Sequence, residues 1–218
     1  MDSVNAFFRA PSVETDVETT VKRSRFIGSV RKVLDAVAAQ EKLKEISAKF
    51  PKATHYCWAY RIGTGSVLEH CSDAGEPAGT AGRPILGALK RCGLDNTLLV
   101  VTRYFGGIKL GVRGLIDAYG EAARLAAEAC EAKEMEFCLP LRLVCGYDYS
   151  KTLLTTLDKY GFGEEDRTLN YGETVEVRLE IPLVRTDEIT PQLEEMKARN
   201  FLLALEWGKE KTVRERKL

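Results

Sequence analysis

Apolar and polar positions alternate along residues 13 to 33, first as VETDVETTV and then as RFIGSVRKV. A period of two sends successive side chains to opposite faces of a sheet, so the stretch predicts two strands with Lys22, Arg23 and Arg25 near their connection. The period then lengthens. In AVAAQEKLKEISAKF, residues 36 to 50, Val37, Leu43, Ile46 and Phe50 approximate one helical face, Asp35 stands where an N-cap belongs, and Pro51 suits termination. THYCWAYRIG and SVLEHCS read as a hairpin around the turn residues Gly63, Thr64, Gly65 and Ser66.

Residues 73 to 82, DAGEPAGTAG, hold three glycines and a proline, which predicts a loop running into a helix, RPILGALKRCG. NTLLVVTRYF is a β-branched apolar run of the kind found in a buried strand. A second glycine loop, GGIKLGVRG, follows, and LIDAYGEAARLAAEACEAKEME, residues 115 to 136, predicts an alanine-rich helix of about six turns. Beyond it the pattern reads strand (LRLVCGYDY), helix (SKTLLTTLDKYG), strand (FGEEDRTLNYG), strand (TVEVRLEI), helix (DEITPQLEEMKARN) and strand (FLLALEWG). That βαββαβ order is the signature of a ferredoxin-like sandwich. The charged tail GKEKTVRERKL is expected to fray.

A length of 218 residues suits two domains of roughly 100 residues each. The expected division is residues 1–137 and 138–218, an α+β chain in both parts. Basic and acidic side chains balance at 32 each, which excludes a strongly basic nucleic-acid wrapper. The balance is uneven along the chain. Residues 1 to 135 carry 19 basic against 16 acidic groups, and between Lys52 and Arg113 the count is eight against four. An anionic partner would therefore meet the first half. No apolar run approaches a membrane span and MDSVNAFFRA lacks a signal-peptide layout, so a cytoplasmic protein without membrane contact is expected. The six cysteines contain no CxxC spacing and read as reduced thiols, some of them core fillers.

Two segments carry candidate chemistry. In the first, Gly75, Gly79 and Gly82 would let backbone amides converge on an anion beside a helix N-terminus, with Glu76, Thr80 and Arg83 around it. A structural Gly-Pro turn is the plainer alternative. In the second, Arg103, Tyr104, Gly106, Gly107, Lys109 and Arg113 combine cations for phosphates with a ring for stacking, Phe105 being read as either a stacking face or core. His55, Cys57, His70 and Cys71 form a weaker metal constellation, because neighbours on a strand point to opposite faces. Glu69, Asp73 and Glu76 could act as acids or bases, or sit as solvated carboxylates. In the second half, Leu153, Leu154 and Leu157, and Ile189, Leu193 and Met196, read as helix packing faces, and Glu164, Glu165 and Asp166 as a solvated turn. No cofactor is expected.

DAGEPAGTAGRPIL, residues 73 to 86, and VVTRYFGGIKLG, residues 100 to 111, resemble the hallmark segments of the IMPACT family in order and spacing. The chain reads Gly111, Val112, Arg113, Gly114, Leu115 where the family wording is closer to GTGGL, which adds a positive charge. The resemblance implies a first domain like the second domain of ribosomal protein S5, an α/β sandwich. It implies a second that is ferredoxin-like and similar to the C-terminal domains of elongation factor G. Eukaryotic members of the family are tied to translational control. The leading expectation is a non-enzymatic regulator binding RNA or the ribosome through the two glycine loops. The alternatives are an enzyme or binding protein for a phosphorylated small molecule, and a protein-docking module anchored on Tyr104 and Phe105.

Overall fold

The alternation in the first half produces a five-stranded antiparallel sheet. In the computed structural model, which describes residues 7–64 and 66–216, β1 spans Phe7–Pro11, β2 Thr15–Val21, β3 Ser24–Lys32, α1 Ala36–Lys49, β4 His55–Ile62 and β5 Leu68–Ser72. They are followed by α2 (Gly82–Arg91), β6 (Thr97–Tyr104) and α3 (Gly111–Ala129). The sheet order is β2-β3-β6-β4-β5. Gly65, expected in the hairpin turn, lies outside the described residues.

β6 lies at the centre of the sheet, and its seven residues from Thr97 to Arg103 are buried. Its alternate side chains enter two different cores. Leu99 and Val101 join Phe26, Val30, Cys57 and Ala59 under α2 and α3, whereas Leu98 and Val100 meet Ile46 and the half-buried Trp58 and Tyr60 under α1. Helices on both faces explain why β6 reads as a continuous apolar run. The alanines of α3 have a matching cause. A Cβ on Gly28 of β3 would lie 2.6 Å from the Ala122 carbonyl oxygen, so helix and strand meet at a separation only small side chains permit. Asp35 caps α1, accepting from the Ala38 amide at 2.7 Å.

Two compact units divide the chain, one holding the residues up to Met135 and those from Glu215 onward, the other Glu136–Arg214. Around and within the second unit lie β7 (Ala132–Cys145), α4 (Tyr147–Lys159), β8 (Arg167–Tyr171), β9 (Val175–Pro182), α5 (Thr186–Ala198), β10 (Ala204–Trp207) and β11 (Thr212–Glu215). The order β10-β7-β9-β8, antiparallel throughout, with two intervening helices is the ferredoxin-like arrangement. Leu141, Leu143, Val177 and Leu179 face Leu153, Leu157, Ile189, Leu193 and Met196 of the helices. Charge occupies other positions, with Arg142 donating to Glu176 at 2.6 Å and to Glu206 at 3.0 Å.

Four expectations need correction. α3 begins at Gly111 and stops at Ala129, because Glu131 adopts a positive φ of 47° and the alternating residues after it enter β7. Tyr147, Asp148 and Tyr149 open a helix, since extended Gly146 ends the strand and serves as N-cap. The tail is ordered at Thr212–Glu215, where β11 pairs with β7 and Arg214 donates to Glu136 at 2.8 Å. Asp166 is not solvated. Its side chain is buried and lies 3.6 Å from Arg214. No helix among the described residues is long and apolar enough to cross a membrane.

Candidate functional site

The first glycine loop folds around one carboxylate. Asp73, directly after β5, accepts from the Gly79 amide through Oδ2 at 2.8 Å, and from the Ala81 and Gly82 amides through Oδ1 at 2.9 and 2.8 Å. α2 has no cap from its own N-cap residue, Ala81, so Asp73 supplies one from eight residues upstream. Burial pushes the Asp73 carboxyl up, but the three amide donors outweigh it and hold the group below the usual carboxylate range. The expected anion cradle is thus filled from within: the amides of Gly79 and Gly82 already serve the chain's own carboxylate. Thr80 is buried, its hydroxyl donating to the Pro77 carbonyl at 2.7 Å. Arg83 stays exposed at the start of α2.

Glu76 reaches inward from the same loop. It accepts from Arg103 Nη1 at 2.5 Å and from the Tyr119 hydroxyl at 2.8 Å, and its Oε1 lies 3.8 Å from His55 Nε2. Loop, β6, α3 and β4 therefore converge on one carboxylate. His55 Nδ1 lies 3.0 Å from the Ala74 carbonyl, and a Cβ at Gly75 would touch its ring. The Arg103 guanidinium lies 5.4 Å from the ring centres of both Phe26 and Phe105. Cys57 donates to the Asp73 carbonyl at 3.0 Å, and burial pushes its thiol up to about 12. Burial and that hydrogen bond keep the thiol protonated and weakly nucleophilic at neutral pH.

Arg103, expected as a phosphate contact, is instead a buried strut, and Glu76 is its counter-ion. The metal constellation is divided: His70 stacks with Trp58 and Tyr60 on the α1 side of the sheet, whereas Cys57 and Cys71 pack toward α2 and α3. Among the described residues no group of three or more His, Cys, Asp or Glu is arranged to hold a metal ion. Glu69 is bound by Lys90 at 2.6 Å and Arg61 at 3.2 Å.

The second loop is pressed against the β2–β3 turn. A Cβ on Gly106 would lie 2.0 Å from the Arg23 carbonyl oxygen, so only glycine fits. Gly106 donates to Ser24 Oγ at 3.2 Å and Phe105 to Thr54 Oγ1 at 3.0 Å, while Gly107 turns the chain with a φ of 82°. This contact brings exposed Lys22 and Arg23 beside the loop. Tyr104 is half-buried, hydrogen-bonded to the Pro51 carbonyl at 3.1 Å and covered by Arg25 at 4.3 Å. Lys109 and Arg113 project to solvent, Arg113 meeting Asp117 alone among the described residues, at 3.3 Å. Phe105 is not core: it is 46% exposed, with Ile108 at 39% and Val112 at 62% close in the chain.

The model of the Impact N-terminal domain matches residues 22–127, which take in both glycine loops and every strut of the Glu76 cluster. Over 201 residues the chain is 30% identical to the IMPACT family member YigZ of Escherichia coli, covering 90% of this chain and 97% of that protein. The chain belongs to the IMPACT family. The family member YvyE of Bacillus subtilis is 48% identical over 105 residues, 48% of each chain, so that match spans about half of either protein. A crystal structure of a hypothetical protein superposes with a TM-score of 0.65 at 28% identity, covering 94% of this chain and 98% of that one.

Tyr119 and Ser24 escaped the sequence reading. Tyr119 left one trace, as the sole aromatic residue in the alanine-rich α3 and on its buried face. Ser24 left none, because its role depends on the packing of a distant loop.

Proposed function

We propose that this IMPACT family protein is a non-enzymatic, cytoplasmic regulator of translation that contacts RNA or the ribosome through the surface around its second glycine loop. The observation that carries the reading is the division of the loop cations: Arg103 is neutralised inside, whereas Lys109, Arg113, Arg83, Lys22 and Arg23 face solvent. Neither Arg83 nor Lys109 makes a side-chain hydrogen bond or ion pair among the described residues, although the Arg83 charge is felt by the Asp73 carboxylate. Exposed cations on a braced backbone suit phosphate contact, since little further ordering is needed on binding. The family's eukaryotic link to translational control supports the partner class.

The test is co-sedimentation with ribosomes across a salt series, wild type against a Lys109→Ala, Arg113→Ala variant. Binding should weaken with salt, and each lost phosphate contact should lower the log-log slope by roughly 0.7 to 0.9. No association at low salt overturns the proposal.

A second reading, protein docking, is favoured by the exposed apolar side chains of Phe105, Ile108 and Val112, close in the chain to exposed Arg113. A partner retained after nuclease treatment and lost with Phe105→Ala would support it. An enzyme of phosphorylated metabolites has less support, because Asp73, Glu76 and Cys57 are all engaged in bracing the loops.

A further inference from the structure

On the opposite face of the same sheet, three rings are gathered without any part in the loop braces. Trp58 and Tyr60 are two residues apart on β4, and His70 lies directly across from Tyr60 on β5. Their planes are within 23° of parallel, with centres 5.3 to 5.9 Å apart. Leu98 of β6 continues the row, in register with Tyr60. Gln40 and Leu43 of α1 close the other side, leaving a cavity of about 290 Å³.

We propose that this cavity is a site for a single nucleobase. Three observations select that ligand. The walls are rings and aliphatic carbon, which suit a flat aromatic guest, and base-on-ring stacking tolerates any base. The volume is at the small end of ligand sites, which begin near 300 Å³, so one ring system is accommodated rather than a dinucleotide. The rim carries the Gln40 carboxamide and the His70 imidazole, neither of which makes a hydrogen bond among the described residues. A carboxamide offers a donor and an acceptor side by side, the complement of a base edge. Lys44, one helical turn beyond Gln40, is exposed and without an ion partner among the described residues, a cation on the same helix for the phosphate that a nucleotide carries on its sugar.

The base could come from a free nucleotide or from single-stranded RNA, and the assignment does not depend on the loop surface proposed above. The experiment reads Trp58 fluorescence in a Trp207→Phe background, Trp58 and Trp207 being the two tryptophans of the chain. The probes are AMP, UMP, a single-stranded RNA octamer and an abasic octamer of the same backbone. Equilibrium dialysis of the wild-type protein with the same probes gives a readout independent of the substitution.

Saturable quenching by a mononucleotide supports the site with a free nucleotide as its source. Quenching by the RNA octamer and not by the abasic one supports it with RNA as its source. Either should weaken about tenfold in His70→Ala and Gln40→Ala, both changes at exposed positions. It should persist in the Lys109→Ala, Arg113→Ala variant, which separates this site from the loop surface. No saturable binding at millimolar nucleotide or RNA, equal binding of the abasic octamer, or full binding by both pocket variants would overturn the proposal.

Discussion

Arg103 donates to Glu76 at 2.5 Å with both side chains withdrawn from water, at 6% and 4% exposure, so each charge depends on the other for its solvation. Removing one partner leaves a buried charge unpaired, which costs about 3 to 5 kcal/mol. Glu76→Ala should therefore lose stability on that scale in urea unfolding, although the residue belongs to a glycine loop. Glu76→Gln, which keeps an acceptor for Tyr119, should lose less. A Glu76→Ala variant as stable as wild type would show that the pair does not brace the loops.

Asp73 should make the protein acid-sensitive in a way that one substitution removes. Its carboxyl is held below the usual range when folded, so the stability it contributes is present above its unfolded value, about 3.9, and is lost as pH falls through the lower folded value. Thermal unfolding between pH 6 and pH 2 should fall less steeply in Asp73→Asn than in wild type, from a lower starting point. Parallel curves would contradict this.

The two glycines at the tip of the second loop should fail for different reasons. Gly106→Ala places a Cβ 2.0 Å from backbone at Arg23, so loop or turn must move, at roughly 1 to 3 kcal/mol or more. Gly107→Ala meets nothing within 4 Å but must hold a φ of 82°, costing about 1 to 2 kcal/mol. Amide spectra should show shifts at Lys22, Arg23 and Ser24 for the first variant and not the second. Equal perturbation of the turn by both would reject the distinction.

Cys57 should resist alkylation. Its thiol, pushed up to about 12 by burial and sealed against the Asp73 carbonyl, should remain unlabelled by iodoacetamide at pH 8 under native conditions, when half-buried Cys92 reacts. Peptide mass spectrometry reads both sites at once. Labelling of Cys57 at the rate of Cys92 would mean that the loop opens.

Burial on one or two faces was written in the sequence. Alternation in residues 13 to 33, the unbroken apolar run of β6 and the βαββαβ order are local consequences of which side chains must avoid water, and local pattern is enough to read them. The two glycine loops were equally legible, because glycine and proline density marks a backbone that regular structure cannot use. The role of each charged residue was decided elsewhere. Arg103 and Lys109 are both cations in one basic segment, yet one ends inside on Glu76 and the other in water. That outcome depends on whether a partner arrives from a distant part of the chain: Glu76 from 27 positions away and Ser24 from 79. Asp73 turned a predicted anion cradle into a closed cap by the same means. Burial of a charge is settled by long-range pairing, and only the tertiary structure holds that information.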